Sequence, residues 1–155
     1  MLSETDIHDV ETLIGATFQN KDLLRQVFIH RSYLNENPSC QLGHNERLEF
    51  LGDAVLELVV TEFLFNNYPN PEGELTNWRS ALVRGQHLAE IANELGVGKW
   101  LLLSRGEEKS GGKSRQILLA NMFEALLGAM YLDGGLEVVR RFVNEHVTVK
   151  LPRIL

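Results

Sequence analysis

Asn45-Glu46-Arg47-Leu48-Glu49-Phe50-Leu51-Gly52-Asp53-Ala54-Val55-Leu56-Glu57-Leu58-Val59-Val60 is the stretch around which the rest of the chain is read. It has no proline, one glycine and a dense apolar content, so it predicts one helix, with Asn45 placed to cap its start. Leu48, Leu51, Val55 and Val59 recur at helical spacing and form one apolar stripe. Glu46, Glu49, Asp53 and Glu57 follow spacings of three and four and line up roughly opposite. Past Ala54 the run is apolar almost all round, as expected of a helix inside a bundle. A column of carboxylates on such a helix repels itself and costs free energy to desolvate, and it is tolerable where those groups hold a cation. A wetted acidic face on an ordinary amphipathic helix satisfies the same spacing, so the spacing alone leaves both readings open.

A chain of 155 residues with 44% hydrophobic and 23% charged residues has the size and balance of one soluble domain with a real core. One cysteine, Cys40, excludes an internal disulfide framework and fits a reducing compartment. Met-Leu-Ser-Glu-Thr-Asp lacks the basic start and apolar core of a signal peptide, and a cytoplasmic protein is the expectation. The net charge of −6 is unevenly spread. Residues 1–78 carry 4 Lys/Arg against 13 Asp/Glu, whereas residues 79–115 carry 7 basic residues against 4 acids. An acidic centre with a basic flank suits a polyanion held over bound metal ions, although chance clustering gives the same distribution.

Outside the opening run, helices are expected from Asp6 to Gly15, from Asn20 to the His30-Arg31-Ser32-Tyr33 segment, from Glu74 to Arg84 and from Gln86 to Leu95. A last amphipathic helix is expected from Glu137 to about Lys150. Asn35–Gly43 reads as a loop, Ser104–Ser114 as a mobile glycine-rich loop, and Trp100–Leu103 stays unassigned. No strand alternation is convincing, so the fold class is all-α. The remaining long segment, Ile117–Leu132, is almost wholly apolar, but it is shorter than the roughly 20 residues of a membrane span and carries an acid mid-run. It reads as a buried core helix, not a membrane helix.

Within that second helix Asn121 and Glu124 stand at i and i+3 on one face. A buried Glu without a partner is costly, so the pair must meet something polar, either each other's hydrogen bonds or a ligand. Together the two helices offer Glu46, Glu49, Asp53, Asn121 and Glu124, all oxygen donors of the kind that suit Mg²⁺ or Mn²⁺. No Cys/His cluster suggests zinc, and the Glu-x-x-His pairs of di-iron bundles are absent. A carboxylate site beside a basic segment points to metal-assisted phosphodiester hydrolysis.

The opening run, with His30-Arg31-Ser32-Tyr33, Glu72-Gly73-Glu74-Leu75-Thr76, Ser80–Gly85, Arg105–Gly112 and Phe123-Glu124-Ala125-Leu126 through Tyr131-Leu132-Asp133-Gly134-Gly135, resembles the endonuclease domain of bacterial ribonuclease III over roughly residues 6–148. The resemblance implies an all-helical endonuclease domain spanning 1–155 that pairs as a symmetric homodimer, with double-stranded RNA held in a valley across it. It implies that Glu49, Asp53 and Glu124 belong to an acidic cluster binding Mg²⁺, with Mn²⁺ able to substitute. Glu46 and Glu72 match further acids near the valley, and Phe50 matches an aromatic that packs into the partner subunit. By the same resemblance Asp53 and Glu124 are the catalytic acids, and the products carry 5′ phosphates and short 3′ overhangs.

Two features depart from that pattern. The family usually has Asp where this chain has Asn121, whose amide oxygen can still ligate Mg²⁺ but lowers the site's charge by one. The family's usual C-terminal double-stranded-RNA-binding domain is absent after Leu155, so weak, salt-sensitive RNA binding is expected. Lys109, Lys113 and Arg115 are candidate phosphate contacts. Gly112-Lys113-Ser114 ends like a phosphate-binding loop, but Glu107 stands where the first glycine belongs, and no nucleotide cofactor is expected. His30 and His44 are read as backbone caps. The rival readings are a non-cleaving double-stranded-RNA-binding dimer and a processing enzyme for one structured RNA.

Overall fold

Ten helices carry the chain in the computed structural model, which describes residues 1–155. In order they are α1 (Glu4–Ile14), α2 (Lys21–Val27), α3 (Arg31–Glu36), α4 (Glu46–Asn67), α5 (Glu72–Val83), α6 (Gly85–Leu95), α7 (Arg105–Lys109), α8 (Gln116–Gly134), α9 (Leu136–His146) and α10 (Leu151–Ile154). The fold is all-α, as expected.

The axis of the fold is the crossing of α4 on α8. A Cβ on Gly52 would stand 1.7 Å from the Glu124 carbonyl oxygen, and one on Gly128 would stand 2.2 Å from the Leu48 carbonyl oxygen. Two glycines facing each other's backbones let these helices meet more closely than any side chain permits. Helices α2, α6 and α9 close round the rest of α8. Leu119, Met122, Phe123, Leu126 and Leu127 are almost wholly enclosed. Helix α8 is long and apolar enough to cross a membrane, yet its apolar surface is spent on this packing.

The helix ends follow local chemistry. Ser3 and Asp6 form a reciprocal capping box on α1, and Gly15 ends it in the left-handed conformation. Asn20 caps α2, and the Asp133 carboxylate at the end of α8 accepts from the Gln19 and Asn20 amides, both at 2.9 Å. Gly96 terminates α6 in the left-handed conformation.

Four local expectations are corrected. The single helix read from Asn20 to Tyr33 is two, because Phe28, Ile29 and His30 leave helical geometry to pair with Leu102. Leu102 donates to the Phe28 carbonyl at 2.7 Å, and His30 donates to the Leu102 carbonyl at 3.1 Å. That pairing gives the unassigned Trp100–Leu103 run its role. Asn45 holds the N-cap position of α4 but does not cap with its side chain, which is buried and donates to the Val27 carbonyl at 2.9 Å. His44 takes the capping task, its Nδ1 accepting from the Glu46 amide at 3.3 Å.

The Ser104–Ser114 segment is not a plain loop. Ser104 caps α7, its amide donates to the Ser32 hydroxyl at 2.9 Å, and the Arg105 amide donates to Glu36 at 3.0 Å. The C-terminal helix stops at His146, passes through a short turn at Thr148–Lys150 and resumes as α10, with Pro152 in its first turn, where a missing N–H leaves no helical bond unmade.

Candidate metal centre

The α4–α8 crossing sets Glu49 and Asp53 from one helix beside Glu124 from the other. Glu46, Glu49, Phe50, Asp53 and Glu124 line an open cup of about 360 Å³. The close approach that joins these helices also places the acids, since the carbonyl closest to Gly52 is that of Glu124 itself.

No lysine or arginine pairs with Glu49, Asp53 or Glu124; the chain's ion pairs lie elsewhere. Burial pushes the Glu124 carboxyl up to about 9, helped by a hydrogen bond with Asp53 and by the charges of Asp53 and Glu49. Burial also raises Glu49, with Glu46 and Asp53 adding to the effect. Glu124 therefore keeps its proton at neutral pH, and a cation bound in the cup would let it go. As they stand, no three acidic or imidazole side chains are drawn in to ligand spacing.

Glu46 sits at the rim, and Arg31 holds it at 2.7 Å. Asn121 lies on the far side of Glu49, in a second polar pocket of about 210 Å³ that it shares with His30, Asn45, Glu46, Glu49, Leu101 and Leu118. Its side-chain amide lies against the Ile117 carbonyl at 3.2 Å and Glu49 Oε1 at 3.3 Å, contacts that become hydrogen bonds only when Nδ2 is turned toward them. His30 accepts from the Ser32 amide and caps α3, as read from the sequence.

Phe50 is not a core residue: it is 83% exposed at the edge of the cup. Ala54, Leu58, Thr61 and Phe65 continue its line along α4, all of them exposed, with Phe65 at 77%. At the far end this seam meets a groove of about 570 Å³, lined in part by Thr61, Phe65, Tyr68, Leu75 and Arg79. Glu72 lies in that groove and not in the acidic cup of its own chain.

Of the candidate phosphate contacts, Lys113 pairs with Glu108 at 3.6 Å and Arg115 with Glu107 at 3.0 Å. Only Lys109 is exposed and has no acidic partner. Sequence reading missed the roles of Gly52, Gly128 and Arg31. The signal for the first two was a glycine in the middle of a strong helix, which costs about 1 kcal/mol against alanine and so needs a packing reason.

Comparison with known proteins shows the family of the chain. The Ribonuclease-III-like family matches residues 20–151. Ribonuclease 3 of Oceanobacillus iheyensis is 50% identical over 147 residues, covering 94% of this chain and 64% of that protein. Ribonuclease 3 of Chloroflexus aurantiacus is 49% identical over 150 residues, covering 95% of this chain and 62% of that one. The chain thus spans under two thirds of the length of the curated relatives it matches. The nuclease domain of ribonuclease III from Campylobacter jejuni, in a structure concerned with flexibility in a region involved in dimer formation, superposes with a TM-score of 0.85 at 37% identity. That match covers 94% of this chain and 99% of that one. Dicer from Pichia stipitis superposes with a TM-score of 0.61 at 29% identity over 88% of this chain and 57% of that one.

Proposed function

The chain belongs to the ribonuclease III-like family, and from that premise we propose that it is a double-strand-specific endoribonuclease. It would hydrolyse phosphodiesters in both strands of duplex RNA, with Mg²⁺ as the resident cation and Mn²⁺ able to replace it, leaving 5′ phosphates and short 3′ overhangs. The observation that carries this reading is the set of three carboxylates at the α4–α8 crossing with no basic partner, one of them pushed up to about 9.

Glu49, Asp53 and Glu124 would hold the cation. Such an ion supplies a water of lowered pKa and neutralises charge on the phosphate and the leaving oxygen. Asp53 and Glu124 are the proposed essential groups, because no neutral substitute would keep their charge on the ion. Glu46, held by Arg31, keeps a further negative charge at the rim. No side chain in the cup need act as a nucleophile toward phosphorus.

The seam on α4 supports a symmetric pair of chains. Phe50 and the Phe65 groove lie about 22 Å apart along the helix at 1.5 Å per residue. A two-fold axis between them exchanges the ends of two antiparallel α4 helices, so Phe50 of each copy fills the groove of the other. Burying each Phe50 contributes roughly 1.5–3 kcal/mol. The same pairing brings Glu72 of the second copy toward the cup, which accounts for an acid that its own chain leaves remote. Duplex RNA would lie across both cups and be read through its A-form shape more than its sequence.

The test is cleavage of a long RNA duplex in Mg²⁺ and in Mn²⁺ by the native protein, Asp53→Asn and Glu124→Gln. The native chain is expected to cut and both variants to fail. A native chain that binds the duplex uncut, or a Glu124→Gln variant that cuts at the native rate, overturns the reading.

A further inference from the structure

Arg47 opens the outward seam of α4. At about 3.6 residues per turn Phe65 lies about five full turns beyond it, so the two side chains leave the helix in one direction. Ala54 and Leu58 stand on the same line, and Phe50 flanks it. Arg47 is exposed, and no carboxylate of its own chain pairs with it. At the far end Glu72 lines the groove with Phe65 and Tyr68, is exposed, and has no basic partner either. Arg79, the one base that lines that groove, is held by Glu57 at 3.8 Å and donates to the Thr61 hydroxyl at 3.1 Å. An apolar seam thus carries a free positive charge at one end and a free negative charge at the other.

We propose that Arg47 of one copy pairs with Glu72 of the other, and that these ion pairs fix the direction and register in which two α4 seams meet. This rests on the proposed pairing of two chains through that helix. The two-fold axis that exchanges Phe50 with Phe65 carries Arg47 to Tyr68 of the other copy, and Tyr68 and Glu72 line one groove. Symmetry makes the pair twice in each dimer. The apolar residues alone do not set the direction, because Ala54 and Leu58 bury equally well against a parallel helix or one slipped by a turn. The charges do set it. In a parallel pair Arg47 would stand level with Arg47 and Glu72 with Glu72, and a slip would leave all four without partners. Coiled coils use the same device, with charges flanking an apolar seam choosing partner and orientation. A pair at the rim contributes little raw affinity, and its effect is on which of several apolar arrangements forms.

Sedimentation equilibrium of mixed variants tests it, with neither RNA nor metal present. Arg47→Glu sets carboxylate against carboxylate at both ends of the seam, and Glu72→Arg sets guanidinium against guanidinium. Each variant alone is expected to raise the dimer dissociation constant about 10-fold or more. Mixed in equal amounts, they can form a heterodimer in which both pairs regain opposite signs, one in the native sense and one reversed. That mixture is expected to sediment as a dimer of near-native strength. Both side chains are exposed, so each variant should keep the native helical signal by circular dichroism. Arg47→Gln, which loses the charge without reversing it, should weaken the dimer less than Arg47→Glu. A native chain that sediments as a monomer overturns the pairing through α4, and this inference with it. A native dimer whose charge-reversed variants dissociate no more easily, or whose mixture is no tighter than either variant alone, overturns the ion pair and leaves the dimer standing. An Arg47 that serves only as a phosphate contact gives that second result.

Discussion

Replacing Gly52 with alanine tests the α4–α8 crossing more severely than any change to the acids themselves. The added methyl would stand 1.7 Å from the Glu124 carbonyl oxygen, 2.6 Å from its carbonyl carbon and 2.9 Å from the Gly128 nitrogen. Real Cβ contacts are essentially never below 3.0 Å, so the helices must separate by at least the 1.3 Å difference between 3.0 and 1.7 Å. All three obstructing atoms are backbone, so no rotamer change relieves them. Alanine gains up to about 1 kcal/mol of helix propensity over glycine. Overpacking a closed crossing costs about 1–3 kcal/mol and sometimes more, so a net loss of roughly 1–2 kcal/mol is expected. The cup suffers more than the fold, because the shift is applied at Glu124 itself. Misplacing reacting groups by about 1 Å costs on the order of 10²-fold in rate. The assay is paired: urea denaturation for stability, Mn²⁺ titration and duplex cleavage for the site. Gly73→Ala is the control, since Gly73 lies inside α5 with nothing within 4 Å of its added methyl, and it should be neutral or stabilising. A Gly52→Ala protein with native stability and native Mn²⁺ affinity would refute the claim that this close approach builds the site.

The pH dependence of metal-free stability follows from Glu124, whose folded value is raised from 4.5 to about 9. A raised value means the folded chain keeps a proton that the unfolded chain releases. The stability it contributes is fully present below 4.5 and is lost as pH rises toward 9. Solvent access to the cup keeps the slope well under the limit of about 1.4 kcal/mol per pH unit. Denaturation at a series of pH values should show that decline, a flatter profile in Glu124→Gln, and Mn²⁺ affinity that strengthens as pH rises. Phe50→Asp should leave the fold intact and yield monomers by sedimentation; an undiminished dimer would remove the α4 seam from the interface. Lys109→Ala should weaken duplex RNA binding and lower the slope of log affinity against log salt by about 1, whereas Lys113→Ala, already paired with Glu108, should change it less. Asp133→Ala should cost about 1–3 kcal/mol by urea denaturation, because it strips two backbone amides at Gln19 and Asn20 of their acceptor.

The long elements were legible because their signals are periodic. The stripes of α4, the apolar run of α8 and the glycine stop of α6 fix those helices locally, and i, i+3, i+4 spacing aligned the acids without any structure. What escaped depended on distant partners. Ile29 reads as part of a helix until Leu102, far along the chain, supplies a bridge. Asn45 has the chemistry of a cap, yet the Val27 carbonyl claims its amide. The Ser104–Ser114 segment has a loop's composition, but Ser32 and Glu36 hold its first residues in place.

Helix α4 has no idle side. Leu48, Val55 and Val59 face the interior, Glu49 and Asp53 face the cup, and Phe50, Leu58 and Phe65 form the outward seam beside it. Turn by turn, packing, charge and assembly divide one circumference among them. A residue there answers to two neighbours at once, so a change tuned to improve one duty disturbs another.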